Sequence, residues 1–231
     1  IPVSGTGSAG METCFVNLIE PNDNLLILIN GVFGTRMEDI GLRLGANVDT
    51  IHFEWGTPVL IEKVEEQLKK KKYDMVAVVH AETSTGVCNP IKEIGEFVNE
   101  NGALYLVDCV TSLGGMNVKI DEWNIDAAYS GTQKCLSCPP GLSPISFSQQ
   151  AVNKLSNRKS KVPNWYLDLS MIINYWAGNT RVYHHTAPIN MLYGLYQSCF
   201  NIIEEGLNNV IERHQTMHQF LVNNLEQINL H

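Results

Sequence analysis

Positive charge is scarce in this sequence: 16 Lys and Arg face 24 Asp and Glu, a net charge of −8 over 231 residues. Nucleic-acid binding needs a basic face, and the one basic run, Lys69–Lys72, ends a predicted helix where cations offset the helix dipole. No nucleic-acid partner is expected. No apolar run approaches the ~18–20 residues of a membrane span, which argues against an integral membrane protein. The opening Ile1-Pro2-Val3-Ser4 has no charged-then-apolar leader, so no signal or transit segment is read there. Internal repeats, low-complexity tracts and a long linker are missing as well. The six cysteines (Cys14, Cys88, Cys109, Cys135, Cys138 and Cys199) are scattered through apolar or loop contexts. That pattern favours free thiols in a reducing compartment over a disulfide framework.

Hydrophobic residues make up 44% of the chain and charged ones 17%, the balance of a folded core rather than a disordered tail. A chain of this length buries roughly 70% of its unfolded surface, enough for a sizeable core. Apolar runs at Leu25–Ile29, Val48–Phe53, Met75–His80, Ala103–Val107 and Leu142–Phe147 read as strands. Helical patterns fall between them, at Met11–Glu20, Thr35–Leu44, Val59–Lys72 and from Asn89-Pro90 to about Glu100. Strands apolar on both faces suit a parallel sheet covered by helices on each side. The alternation predicts a three-layer α/β/α domain with a mainly parallel sheet over residues 1–231, closing with long helices at Met191–Glu204 and Leu207–Leu230.

In such sheets ligands bind beyond the carboxyl ends of the strands, so the residues that follow the apolar runs carry the chemistry. Gly5-Thr6-Gly7-Ser8-Ala9-Gly10 satisfies the G-x-G-x-x-G pattern, but the next strand ends Ile29-Asn30-Gly31 without the acid that a dinucleotide ribose needs. What survives is a helix start where backbone amides and the Thr6 and Ser8 hydroxyls converge on an anion, beside the plainer reading of a turn and cap. Asp108 leaves the buried run Ala103–Val107, where a carboxylate is either paired, functional or a strand-end cap. Lys134 sits in Ser130-Gly131-Thr132-Gln133-Lys134, after another apolar run. A partly desolvated amine there becomes a nucleophile able to form a Schiff base with an aldehyde. Anion loop, lysine, carboxylate and the aromatic face of Phe33 together fit pyridoxal phosphate. No single element is specific; the conjunction is.

The motifs Ser4-Gly5-Thr6-Gly7, His80-Ala81-Glu82-Thr83-Ser84-Thr85-Gly86-Val87, Val107-Asp108-Cys109-Val110-Thr111-Ser112-Leu113-Gly114-Gly115, Tyr129-Ser130-Gly131-Thr132-Gln133-Lys134 and Tyr183-His184-His185-Thr186 fall in order. Over essentially the whole chain they resemble the class V aminotransferases of fold type I, in particular those acting on alanine or serine with glyoxylate or pyruvate. The resemblance implies a pyridoxal 5′-phosphate enzyme that moves an amino group between a small amino acid and a 2-oxo acid. It makes Lys134 the Schiff-base and proton-shuttling residue, Asp108 the partner of the ring nitrogen, and Thr83 a hydrogen-bonding group at the ring edge. Thr6, Gly7, Ser8 and Gln133 would hold the phosphate, with Tyr183 and Thr186 reaching it from the other subunit of a homodimer. Family members occur in peroxisomes and mitochondria.

Three departures stand out. The family more often has a larger aromatic than Phe33, often a His in place of Ser8, and both an N-terminal arm and a smaller C-terminal domain outside residues 1–231. That domain carries the arginine that grips the substrate carboxylate, and none of Arg36, Arg43, Arg158, Arg181 and Arg213 matches it. A lyase or desulfurase of the same fold, which tends to stack a His where Phe33 stands, and a truncated non-catalytic core are the alternative readings. Cys135-x-x-Cys138 lacks a second pair or a nearby His, so no metal site is expected. His184 and His185 are adjacent, so extended backbone would point them to opposite faces, as interface histidines rather than shared ligands.

Overall fold

A computed structural model describes residues 1–178, 180 and 182–228. The chain runs β1 (Pro2–Ser4), α1 (Gly7–Leu18), β2 (Asn24–Ile29), α2 (Val32–Arg43), β3 (Asn47–His52), α3 (Ile61–Lys70), β4 (Met75–Val79), β5 (Ala81–Glu82), β6 (Val87–Cys88) and α4 (Ile91–Asn101). It continues through β7 (Leu104–Asp108), β8 (Ala127–Tyr129), β9 (Leu142–Phe147), α5 (Gln149–Ser156), α6 (Leu169–Ala177), α7 (Ile189–Glu205) and α8 (Leu207–Gln227). Seven strands form one sheet in the order β1-β9-β8-β7-β4-β2-β3, and β5 and β6 pair as a separate hairpin. The five strands from β8 to β3 are mutually parallel, while β9 pairs antiparallel with both β8 and β1.

The apolar runs are buried on both faces because each face has its own helical layer. Leu25, Ile27 and Ile29 of β2 and Ala77 and Val79 of β4 pack with Met11, Phe15, Leu18 and Met37 of α1 and α2. Their neighbours in sequence, Leu26, Leu28, Val76 and Val78, pack instead with Val64, Leu68, Ile94 and Val98 of α3 and α4. The two-residue period of a strand thus divides one run between two cores. Truncating a side chain as enclosed as Phe15 to alanine costs about 3–5 kcal/mol.

The expected three layers and mainly parallel sheet are present. Two of the helix starts that differ from the sequence reading bear on the site. Helix α1 begins at Gly7 rather than Met11, and α2 begins at Val32, so Phe33 stands in a first helical turn and not in a loop. Helices α5 and α6, with the β5–β6 hairpin, are elements that the apolar pattern did not reveal. Leu230, the expected end of the last helix, lies outside the described residues, as does Arg181. Among the described residues no helix is long and apolar enough to cross a membrane.

Candidate active site

Parallel strands aim their carboxyl ends at the same edge, and chain direction gathers the site there. Val79 ends β4, Asp108 ends β7 and Tyr129 ends β8; all three line one cavity of about 220 Å³. The first turns of α1 and α2 close two of its sides. Helix α1 approaches this closely because its glycines lack side chains. A Cβ on Gly7 would stand 2.9 Å from Val110, and one on Gly10 would overlap the Ser143 hydroxyl.

Eight of the ten residues named from the sequence line this one cavity: Thr6, Gly7, Ser8, Phe33, Thr83, Asp108, Gln133 and Lys134. The other two lie outside it. Tyr183 is 71% exposed, and its hydroxyl shares a 3.0 Å hydrogen bond with that of Thr186.

Asp108 is 3% exposed and fully wired. Its Oδ2 accepts from the Tyr129 hydroxyl at 2.6 Å, and its Oδ1 accepts from the Val110 amide at 2.8 Å. Burial nevertheless wins over those two donors and raises its carboxyl to about 6, with Glu82 adding to the rise and Arg36 opposing it. A buried carboxyl held this way has unmet demand for positive charge. The strand-end cap reading also holds in part, since the Val110 bond is a local turn contact.

Lys134 occupies a loop fixed by its backbone. Ser137 donates to the Lys134 carbonyl at 2.8 Å, Cys138 donates to the Thr132 carbonyl at 3.0 Å, and the Thr132 hydroxyl donates to the Pro139 carbonyl at 2.7 Å. Helix α7 braces the loop from behind through the Ser198 hydroxyl, which donates to the Leu136 carbonyl. The side chain itself is exposed, which corrects the expectation of a partly desolvated amine. The loop delivers Lys134 to the open mouth of the cavity, and the described residues put no layer over it.

The Thr6–Ser8 segment opens a helix that starts at the cavity. Thr6 is the N-cap of α1 in extended backbone, and its side chain makes no capping hydrogen bond among the described residues. That leaves the Gly7 and Ser8 amides and the Thr6 hydroxyl at the cavity without a partner among the described residues, a donor set suited to a phosphate. Phosphate donors at one end, a lysine at the mouth, a buried carboxylate and an aromatic ring from Phe33 therefore fit pyridoxal phosphate in one cavity.

Two contributors escaped the motif reading. Tyr129 orients Asp108, and its apolar neighbours made it read as a core residue. Arg36 also lines the cavity, with Nη1 donating to Ser8 Oγ at 3.1 Å and its guanidinium 4.8 Å from the Phe33 ring centroid. Its signal was its position one helical turn after Phe33.

Nearby histidines depart from expectation. His184 and His185 do not diverge: their Nδ1 atoms lie 2.7 Å apart, His185 Nε2 is 2.6 Å from Ser4 Oγ, and His184 stacks on Trp165 at 4.4 Å. The backbone there is irregular, so the alternation of an extended strand does not apply. His80, which follows β4, is buried with Nδ1 unpartnered, and burial lowers it to about 4. Among the described residues no group of three or more His, Cys, Asp or Glu is arranged to hold a metal ion, and all six cysteines are free.

The family profile described as aminotransferase class-V matches residues 1–231. The solved structure of alanine–glyoxylate aminotransferase from Nostoc sp. superposes with a TM-score of 0.95 at 47% identity, covering 99% of this chain and 60% of that one. The (S)-ureidoglycine–glyoxylate transaminase of Bacillus subtilis is 40% identical over 93% of this chain and 56% of its own length. Alanine–glyoxylate aminotransferase of Oryctolagus cuniculus is 38% identical over 100% of this chain and 59% of its own. The chain thus spans a little over half the length of the relatives it matches.

Proposed function

The chain belongs to the class V aminotransferases, and from that premise we propose that the protein moves an amino group from a small amino acid, alanine or serine, to a 2-oxo acid, glyoxylate or pyruvate. The observation that carries the reading is the meeting of Lys134, Asp108 and the Thr6–Ser8 turn around one cavity. Residues 1–231 supply the cofactor-binding domain.

When bound, pyridoxal phosphate supplies an electron-withdrawing ring that stabilises negative charge at the amino-acid Cα. Asp108, held by Tyr129 and Val110, would accept a hydrogen bond from the protonated ring nitrogen, and that positive partner would offset the burial that raises its carboxyl. Thr6, Gly7, Ser8 and Gln133, which line the cavity, would hold the phosphate, with Thr83 bonding the ring edge and Phe33 offering an aromatic face to the ring. The Lys134 amine would anchor the cofactor aldehyde and, when free, would serve as the base that holds and moves the proton of the amino-acid Cα. Lyase and desulfurase chemistry on the same fold draws no support from a cavity whose stacking residue is Phe33.

The working unit is a homodimer in which Tyr183 and Thr186 reach the partner's phosphate site. Their exposure supports this, as does the apolar stripe that follows. Ile189, Tyr193, Tyr196, Phe200 and Ile203 recur at helical spacing along α7 and are each 44–77% exposed. Sedimentation at twice the chain mass, lost in the double variant Tyr196→Glu/Phe200→Glu, tests that unit.

The activity is tested with the intact protein loaded with pyridoxal phosphate. Alanine plus glyoxylate should give pyruvate and glycine, and borohydride should fix the cofactor mass on the peptide that carries Lys134. Turnover of cysteine to alanine, with its sulfur released as sulfide by an added thiol reductant and with no transamination, would overturn the reading in favour of a desulfurase.

A further inference from the structure

We infer that Arg36 is the charged member of the phosphate-holding end of the cavity and sets the preference for a phosphorylated cofactor. The inference rests on the function proposed above and names a residue which that reading does not use. Its first ground is position. Arg36 lines the same cavity as Thr6, Gly7 and Ser8, and its Nη1 donates to Ser8 Oγ at 3.1 Å. Ser8 lies in the opening turn of α1, so the guanidinium stands beside the amides that face an anion.

Its second ground is charge. The ionisable side chains around this cavity are Arg36, Lys134, Asp108 and Tyr129. A phosphate monoester brings about −1.5 to −2 charges, and Asp108 adds another when ionised. The phosphate groups read from the motif are neutral: two hydroxyls, an amide and a helix N-terminus worth about half a charge. Lys134 is committed to the aldehyde. Arg36 is then the remaining cation on the cavity wall, and its planar fork matches two phosphate oxygens.

Its third ground is availability. Arg43 pairs with Asp39 at 2.9 Å, Arg213 with Glu205 at 2.7 Å, and Arg158 donates to the carbonyls of Asn17 and Ile19 at 2.9 Å. Arg36 pairs with no carboxylate among the described residues. Instead it is held in place by the Ser8 hydroxyl and by the Phe33 ring, with its centroid 4.8 Å away. A side chain as small as Ser8 leaves room for the guanidinium at the helix start. An exposed arginine without an acidic partner, pinned at an anion loop, is preorganised for an anion.

Intact protein stripped of cofactor is titrated with pyridoxal phosphate and, separately, with pyridoxal, which has the aldehyde and no phosphate. Inorganic phosphate is added as a competitor of loading. Arg36→Gln should weaken pyridoxal phosphate binding roughly 10- to 100-fold, the loss expected for a hydrogen bond to a charged group. It should leave pyridoxal within about twofold and abolish the slowing of loading by inorganic phosphate, while Arg36→Lys, a point charge without the fork, falls between. The position is exposed and Gln is nearly as good a helix former as Arg, so α2 is retained. Unchanged affinity for pyridoxal phosphate in Arg36→Gln overturns the inference and leaves the proposed function standing. Equal weakening for pyridoxal, or a raised KM for the oxo acid with cofactor affinity unmoved, overturns it too, the latter by assigning the guanidinium to the substrate carboxylate. A wild-type protein that takes up neither aldehyde overturns the functional reading and this inference together.

Discussion

Asp108 and Lys134 face one cavity from opposite environments. Asp108 ends a fully buried strand, is 3% exposed, and has a partner for each oxygen. Lys134 is exposed on a loop, and nothing among the described residues pairs with it across the cavity. The Asp108 end of the site is therefore completed by the sheet itself, and the carboxyl carries the cost in its raised affinity for a proton. The Lys134 end is positioned by backbone hydrogen bonds but left open to water. One end stores strain in the apo protein; the other stores none.

The largest expected effect tests the open end. If Lys134 has the proposed roles of anchoring amine and proton carrier, Lys134→Ala should lower transamination by at least about 10³-fold. Folding stability should move by no more than about 0.5 kcal/mol, the range for an exposed side chain. Thermal unfolding of the apo protein beside a turnover assay separates the two, and a large loss of stability would break the contrast with Asp108.

Asp108→Asn should do the reverse at the closed end. Activity falls because an amide cannot hold a ring nitrogen protonated, by roughly 10²-fold or more. The apo protein gains stability near pH 8. The folded carboxyl, at about 6, lies above its unfolded value, so its stabilising contribution is complete below about pH 4 and is lost as the pH rises through 6. A rise from the ordinary 3.8 to about 6 corresponds to about 3 kcal/mol. The difference in unfolding free energy between variant and wild type should thus shrink from about that size at pH 8 towards zero at pH 4. A difference independent of pH would remove the strain from Asp108.

His80 sharpens the same measurement from the opposite side. Its folded value, about 4, lies below the usual 6.5, so its contribution is present above about pH 6.5 and is lost as the pH falls towards 4. In the wild type the Asp108 and His80 slopes oppose each other over this window. In Asp108→Asn the histidine slope stands without the opposing Asp108 slope, and denaturant midpoints should fall more steeply than in the wild type between pH 6.5 and 4, with His80 contributing up to about 3 kcal/mol.

The sheet and most of the cavity were legible in the sequence because both rest on local signals. Continuous apolar runs such as Met75–Val79 need a helix layer on each face, and the polar residues that end them must gather where parallel strands end. What was not legible depended on tertiary contact. The helix starts at Gly7 and Val32 precede the apolar periodicity, since their first turns face the cavity rather than a core. Helices α5 and α6 are short, and their burial comes from Leu155, Leu169 and Ile172 meeting the α1 side of the sheet. Exposure of Lys134 could not be read either, because desolvation is a property of what covers a loop and not of the loop's own residues. Tyr129 was hidden for the opposite reason: an aromatic in an apolar strand reads as core.

The smallest effect concerns that tyrosine. Tyr129 is 1% exposed and donates at 2.6 Å to a carboxylate that has one other donor, so it acts by positioning Asp108 and not by touching substrate. Tyr129→Phe keeps the ring and its packing and removes only the hydroxyl. The cost to stability should be about 1–2 kcal/mol, that of a buried polar group left short of a partner. A merely structural hydroxyl would move nothing else. Because the tyrosine donor opposes the rise of the Asp108 carboxyl, its loss should carry the midpoint of the Asp108-linked stability change above pH 6. The same change appears as weaker capture of pyridoxal phosphate at pH 6 than at pH 8 in the variant, relative to wild type. If the midpoint stays where it is, the Val110 amide alone sets the carboxyl, and the strand-end cap accounts for the whole of its wiring.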